Sequence, residues 1–194
     1  MGFDKRIIAK ADGCKVEYGI VFGNGKIVFM KCGADGKIPG YGDKYLKMAQ
    51  RAHNRLGATV ICAGNPSECD SQKADEAVIK WCVKERKFTD YEVYLFGASD
   101  GAYQNLKLAK QIPQTVKLVG VNTSSNCFDR LVEKLRALSD IEKIFVYGTK
   151  DYEYKKVPSL KAANIDNFEI RTVEGATHRF AGMLDKYVVL ADLL

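Results

Sequence analysis

Apolar residues never run together for anything near the roughly 18 positions that a membrane-spanning helix needs, so no helical span is expected and no membrane partner. The first fifteen residues, MGFDKRIIAKADGCK, are broken by charges and hold no apolar stretch of the length a secretory leader requires. The expected location is cytosolic. Low-complexity segments, internal repeats and Pro/Ser-rich linkers are missing too, and 194 residues suit one domain better than two. A single domain spanning 1–194 is expected.

Cysteine pairs at metal-binding spacing are also absent. None of the six cysteines (Cys14, Cys32, Cys62, Cys69, Cys82, Cys127) forms Cys-x-x-Cys, and only two histidines are present, so no metal is expected. A chain of this length builds a core without covalent staples. Cys62 and Cys82 lie inside the apolar runs TVICAG and IKWCV, where a thiol acts as a small hydrophobe. All six are therefore expected as structural free thiols. Charge of one sign is not concentrated anywhere. The 30 basic residues exceed the 24 acidic ones by only six, and segments such as DRLVEKLRALSD mix both signs as a solvated helix face does. A nucleic-acid surface needs a basic stripe with aromatic platforms, so no nucleic-acid partner is expected.

What is present is an alternation of short β-rich runs and helical segments, the order of an α/β chain with a mainly parallel sheet. Two strands near 5–10 and 15–22 lead into FGNGK. Asn24-Gly25 favours the positive φ angles of a tight hairpin, so KIVFM is expected to return antiparallel as a third strand. A Gly-rich loop, CGADGKIPGYGD, then precedes a helix around 43–56 that ends at Gly57. ATVICAG gives strand four and SQKADEAVIKWCVKER a helix; YEVYLFG gives strand five, followed by a helix to about Gln111. VKLVGV, the helix FDRLVEKLRAL and KIFVYG continue the pattern. A short helical stretch around 155–163, strand eight in NFEIRTV and a C-terminal helix from near Ala181 complete it. The expected fold class is a three-layer α/β/α sandwich on an eight-stranded, mainly parallel sheet with antiparallel N-terminal strands.

Strand five runs straight into Gly97-Ala98-Ser99-Asp100-Gly101, a Gly-x-Ser-x-Gly pentapeptide. With 17 glycines and seven serines, chance supplies such a match in roughly 0.05 of chains of this composition. The following Ala102, Leu106 and Ala109 form an inward helical stripe, so Ser99 falls between a central strand and a helix N-terminus. Open α/β sheets bind ligands at that edge, and helix N–H groups there favour developing negative charge. A serine hydroxyl needs a base to take its proton. Of the two histidines, His53 lies between Arg51 and Arg55 on a helix and reads as a surface residue, whereas His178 follows strand eight at the same edge as Ser99. Asp151 follows strand seven and can orient the imidazole.

In these motifs the chain resembles a small member of the α/β-hydrolase superfamily. GASDG matches its nucleophile elbow, GTKD its acid turn and GATH its histidine loop, in the order serine, acid, histidine. The resemblance implies a triad of Ser99, Asp151 and His178. It also implies an oxyanion hole made by the backbone N–H of Asp100 and by a second amide from the loop after strand three. Where many members carry His-Gly, this chain has Lys31-Cys32-Gly33, which makes Ala34 the second donor. The implied activity is hydrolysis of a small carboxylic ester or thioester through an acyl-enzyme, on a small-molecule acyl substrate and with no cofactor. A peptidase or amidase of the same fold, or a non-catalytic binding protein on a hydrolase scaffold, stand as alternatives.

The family's lid is commonly inserted between strands six and seven. Here that interval holds about 19 residues, most of them used by one amphipathic helix. An open, shallow pocket is therefore expected, walled by the 33–43 loop with Phe128, Tyr152 and Phe180, and favouring short acyl chains.

Overall fold

The computed structural model describes residues 2–194. The strands are β1 (Lys5–Ala11), β2 (Cys14–Val21), β3 (Asn24–Lys31), β4 (Ala58–Ala63), β5 (Glu92–Ala98), β6 (Thr115–Val121), β7 (Glu142–Gly148) and β8 (Phe168–Val173). They form one sheet in the order β1-β2-β4-β3-β5-β6-β7-β8. β1 and β2 pair antiparallel, β2 pairs antiparallel with β4, and every later pairing is parallel. Between strands lie α1 (Lys44–Leu56), α2 (Gln72–Glu85), α3 (Asp100–Gln111), α4 (Phe128–Arg136) and α5 (Val157–Ala162), and α6 (Leu184–Val188) follows β8.

The expected β2–β3 hairpin does not form. Neither Asn24 nor Gly25 adopts positive φ. Instead the Gly23 amide donates to Thr59 Oγ1 (3.0 Å) and the Asn24 amide to the Gly57 carbonyl (2.8 Å). These bonds draw the connection across the start of β4, which inserts between β2 and β3. The tight hairpin lies one turn earlier, at Asp12 (φ 50°) and Gly13 (φ 78°), where both central residues take the left-handed conformation such turns require. The C-terminal helix also begins later than expected, at Leu184.

Each face of the sheet is covered because the central strands are apolar on both sides; all six residues of β4 are buried. On one face α2, α3, α4 and α5 pack over Tyr18, Phe29, Ile61 and Leu95. On the other, α1 and the C-terminal residues pack over Met30, Val60 and Phe96. α1 stops where its pattern says it should: Gly57 takes φ 65° and its N–H donates to the His53 carbonyl.

One charged cluster lies inside the first of these layers. Lys31 Nζ, at the end of β3, donates to both carboxylate oxygens of Asp75 (2.9 and 2.8 Å) and to Ser71 Oγ (2.8 Å). Tyr18 donates to the same carboxylate at 2.8 Å. Burial lifts the Asp75 carboxyl above its usual range, against the pull of Lys31. The cysteine expectation needs correction: Cys14 and Cys69 form a disulfide, Cα–Cα 5.5 Å, between the start of β2 and the loop after β4. The partners are 55 residues apart in sequence, so only the β2–β4 pairing reveals that they meet. Cys32, Cys62, Cys82 and Cys127 are free thiols.

Lys31→Met leaves the Asp75 carboxylate buried without its cation and should cost about 3–5 kcal/mol, read by urea unfolding. The deficit should shrink on acidification, because a protonated Asp75 needs no counter-charge. Removing both charges in Lys31→Met/Asp75→Leu should recover much of the loss. A loss under about 1 kcal/mol in the single variant would mean that the pair is not isolated from water.

Candidate active site

Ser99 sits between β5 and α3 with φ 52° and ψ −122°, a conformation that L-residues rarely occupy. Close packing on both sides holds it there. A methyl group on Gly97 would lie 2.4 Å from the Ala102 Cα, and one on Gly101 would lie 2.0 Å from the Cys32 carbonyl oxygen. Both contacts are with backbone, so only glycine lets α3 approach β5 and the end of β3 this closely. The Ser99 amide donates to the Val121 carbonyl (2.8 Å), tying the turn to β6.

Asp151 and His178 reach Ser99 from the ends of β7 and β8. Asp151 caps the 3-10 turn at Tyr152–Lys156, accepting from the Glu153 amide at 2.9 Å, and its side chain is wholly buried. Its two carboxylate oxygens lie 2.9 and 3.1 Å from His178 Nδ1. His178 Nε2 lies 2.9 Å from Ser99 Oγ. With Nδ1–H donating to the carboxylate, Nε2 presents a lone pair to the serine hydroxyl. The three side chains thus form one hydrogen-bonded line from a buried anion to a hydroxyl.

The other residues singled out in sequence fall as follows. Ala34 borders the same cleft as Ser99, and a methyl on Gly33 would stand 3.3 Å from the Ser99 Cβ. The loop carrying them is fixed by the Asp35 amide on the Asn65 carbonyl (2.7 Å) and the Gly36 amide on the Gly33 carbonyl (2.9 Å). Among the described residues, neither the Ala34 amide in this loop nor the Asp100 amide at the first position of α3 meets an acceptor. His53 is not brought to the site. It is half-buried rather than a plain surface residue, with Nδ1 2.9 Å from the Ala58 carbonyl.

Three residues escaped the sequence reading. Asn122, buried and at φ 47° just past β6, donates to the carbonyls of Thr177 (3.3 Å) and His178 (3.0 Å) and accepts from the Gly148 amide (2.8 Å). It therefore clamps the histidine loop to the end of β7. Asn65 donates to the Asp100 carboxylate at 3.0 Å. Tyr152, expected only as a wall, stacks on the His178 ring with centroids 4.6 Å apart, and its hydroxyl lies 3.3 Å from Nε2. Although the side chain is largely exposed, partial desolvation and the charges of Glu153 and Asp151 hold its phenol above the ordinary tyrosine range, so it stays a neutral donor or acceptor.

Residues 122–141 hold only α4 and its flanking loops, and Ser99 opens into a cleft of about 1130 Å³. Its walls are the loop of residues 33–41, Lys44 and Tyr45 at the start of α1, Tyr152 and the 178–187 segment, so Phe180 and Tyr152 do border it, whereas Phe128 packs on the helical layer elsewhere. Among the described residues, no group of three His, Cys, Asp or Glu side chains is arranged to hold a metal ion.

No family model and no curated protein sequence matches the chain. Solved structures do. Est1E from Butyrivibrio proteoclasticus superposes with a TM-score of 0.75 at 12% identity, over 100% of this chain and 97% of that one. An alpha-beta serine hydrolase homologue from Coxiella burnetii gives 0.72 at 18% identity, over 98% and 97%. XC6422 from Xanthomonas campestris, described as an a/b serine hydrolase without lid, gives 0.69 at 16% identity, over 97% and 92%. Each spans nearly the whole of both chains, so the likeness is one of complete architecture.

Gly101→Ala tests the packing that shapes the turn. Because the new methyl meets backbone rather than a movable side-chain tip, unfolding should be easier by more than about 1–3 kcal/mol. A variant as stable as the parent would show that α3 can shift away from Cys32 freely.

Proposed function

We propose that this chain, which has the α/β-hydrolase fold, is a serine hydrolase that cleaves a small-molecule carboxylic ester or thioester through an acyl-enzyme. The observation that carries this reading is the unbroken line Asp151–His178–Ser99, with its two contacts at 2.9 Å, in a cleft open to ligand. The serine hydrolase descriptions of the structures from Coxiella burnetii and Xanthomonas campestris support the same reading.

In the proposed reaction Ser99 Oγ attacks the acyl carbon while His178 Nε2 takes its proton. Asp151, buried and unable to move, stabilises the imidazolium that results. The carbonyl oxygen becomes an oxyanion as the new bond forms. The Asp100 and Ala34 amides are assigned to receive it; a preorganised donor of this kind is worth about 10²–10³ in rate. The imidazolium then protonates the leaving alcohol or thiol as the acyl–oxygen or acyl–sulfur bond breaks. Water, deprotonated by the same imidazole, attacks the acyl-enzyme and regenerates Ser99. Every electron pair in this scheme moves between substrate, serine, water and imidazole. A metal or organic cofactor has no step to perform in it.

Tyr152 acts on the same nitrogen. One lone pair on Nε2 cannot serve two hydroxyls at once, and the serine contact at 2.9 Å is shorter than the tyrosine contact at 3.3 Å. Its ring face, stacked on the imidazole, favours the charged form that appears during turnover.

Ser99→Ala should fold normally, lose labelling by a fluorophosphonate probe and lose ester turnover by several orders of magnitude. His178→Ala should be nearly as damaging, because base and nucleophile act together. His53→Ala should leave turnover in place. A probe adduct on another serine would overturn the assignment.

A further inference from the structure

We infer that the cleft at Ser99 takes esters or thioesters that carry an anionic group beyond the scissile bond, with Lys44 and Arg179 receiving that group. This rests on the hydrolase reading above and narrows its substrate class.

The charged residues bordering the cleft are Asp35, Lys37, Lys44 and Arg179. The one carboxylate among them is already engaged, accepting from the Ser67 amide (3.1 Å) and hydroxyl (2.6 Å). The cations are not. Lys44 is half-buried, its Nζ 4.4 Å from the centre of the Tyr187 ring and 5.0 Å from that of Tyr45. Among the described residues it has no carboxylate and no hydrogen-bond acceptor. Three other deeply placed lysines do better. Lys31 reaches Asp75, Lys143 reaches the carbonyls of Leu138 and Ile141, and Lys156 reaches Glu153 and the Ser125 carbonyl.

Its position makes the missing partner more telling. Lys44 is the first residue of α1, where the helix already presents positive charge, and the first turn contains no acidic residue. The Asp43 side chain does not cap the helix either. Burial holds the ammonium below the usual lysine range, and the charge of Arg179 pushes in the same direction. An exposed lysine would leave for solvent under these conditions. This one is kept at the cleft wall by two aromatic rings. A carboxylate or phosphate on the substrate would supply the missing counter-charge, and Arg179, next to His178 and with no partner among the described residues, offers a planar fork to the same anion.

Substrate pairs with and without a carboxylate, compared in the parent and in the Lys44 variants, test this. Mono-(4-nitrophenyl) adipate against 4-nitrophenyl hexanoate places the anion at the far end of the acyl chain. The 4-carboxyphenyl ester of butyrate against phenyl butyrate places it on the alcohol. The anionic member of one pair should show kcat/KM about tenfold higher, and the pair that responds identifies which end of the substrate Lys44 meets. The advantage should fade with added salt. Lys44→Gln should bring the ratio within a pair close to one, Lys44→Arg should restore it, and Lys110→Gln, remote on α3, should leave it unchanged. Equal rates in both pairs, or an advantage that survives both Lys44→Gln and Arg179→Gln, would overturn the inference. Calorimetry of adipate and of 4-hydroxybenzoate on the Ser99→Ala protein separates this question from catalysis. Binding of either acid, weakened about tenfold by Lys44→Gln, supports the anion site even if no ester were turned over. Rapid ester turnover with equal rates in both pairs and with no binding of either adipate or 4-hydroxybenzoate would sink the anion site alone.

Discussion

The contact of Gly101 with the Cys32 carbonyl governs the site. α3 meets the end of β3 with no room for a side-chain carbon between them, since a methyl there would stand 2.0 Å from a backbone oxygen. The chain must reach that helix from β5 in a single residue, and Ser99 absorbs the turn at φ 52°. Such a conformation costs of order 1–3 kcal/mol, which the surrounding buried strands supply. The same contact fixes two things at once. It throws the Ser99 side chain out over the sheet edge, and it sets α3's first amide beside the loop that leaves β3. Nucleophile and proposed oxyanion donors are therefore registered by packing rather than by any bond between them.

Further restraints build outward from that contact. Gly148 approaches Ala176 so closely that a methyl would stand 2.2 Å from its carbonyl oxygen, and Asn122 bonds both the Gly148 amide and the His178 carbonyl. The acid and histidine loops are thus locked to each other before their side chains meet. On the other side, Lys31 and Asp75 pin α2 to β3, and the loop between β4 and α2 carries Asn65, whose side chain holds the Asp100 carboxylate. The Cys14–Cys69 disulfide ties that loop to β2. A side chain that must sit within a few tenths of an ångström of its partner is held by backbone that cannot drift.

Local chemistry is what made much of this legible. Gly-x-Ser-x-Gly after an apolar strand is a statement about one turn, and the turn forms where it stands in the sequence. The alternation of strands and helices likewise predicts a parallel sheet, because crossovers need the length those helices occupy. Failures came wherever the outcome depends on a distant segment. Asn24-Gly25 is a good hairpin signal locally, but Thr59 and Gly57 outbid it by bonding the connection. Cys14 and Cys69 meet only because β2 lies against β4. Asn122, Asn65 and Tyr152 have ordinary sequence surroundings; their roles come from what the β7 and β8 ends and the 33–36 loop bring to them.

The cleft shows the same dependence most clearly. Between β6 and β7 the chain holds only α4 and its flanking loops, and Phe128 there stands apart from the cleft, whereas the other expected walls do border it. Two of its walls come from α1's approach loop and from the segment after His178, both on the α1 face of the sheet. Tyr187 meets Tyr45, Phe96 and Phe180 edge-on, with ring centres 6.5, 6.3 and 5.2 Å away, and this cluster joins the two walls. Edge-to-face packing among four buried rings leaves little rotameric freedom. The cleft is therefore shaped before any ligand arrives, rather than closed over it by a mobile cover. Selectivity in such a site has to come from fixed lining groups. Of those, the ammonium of Lys44 rests on two of the four rings and meets no carboxylate among the described residues.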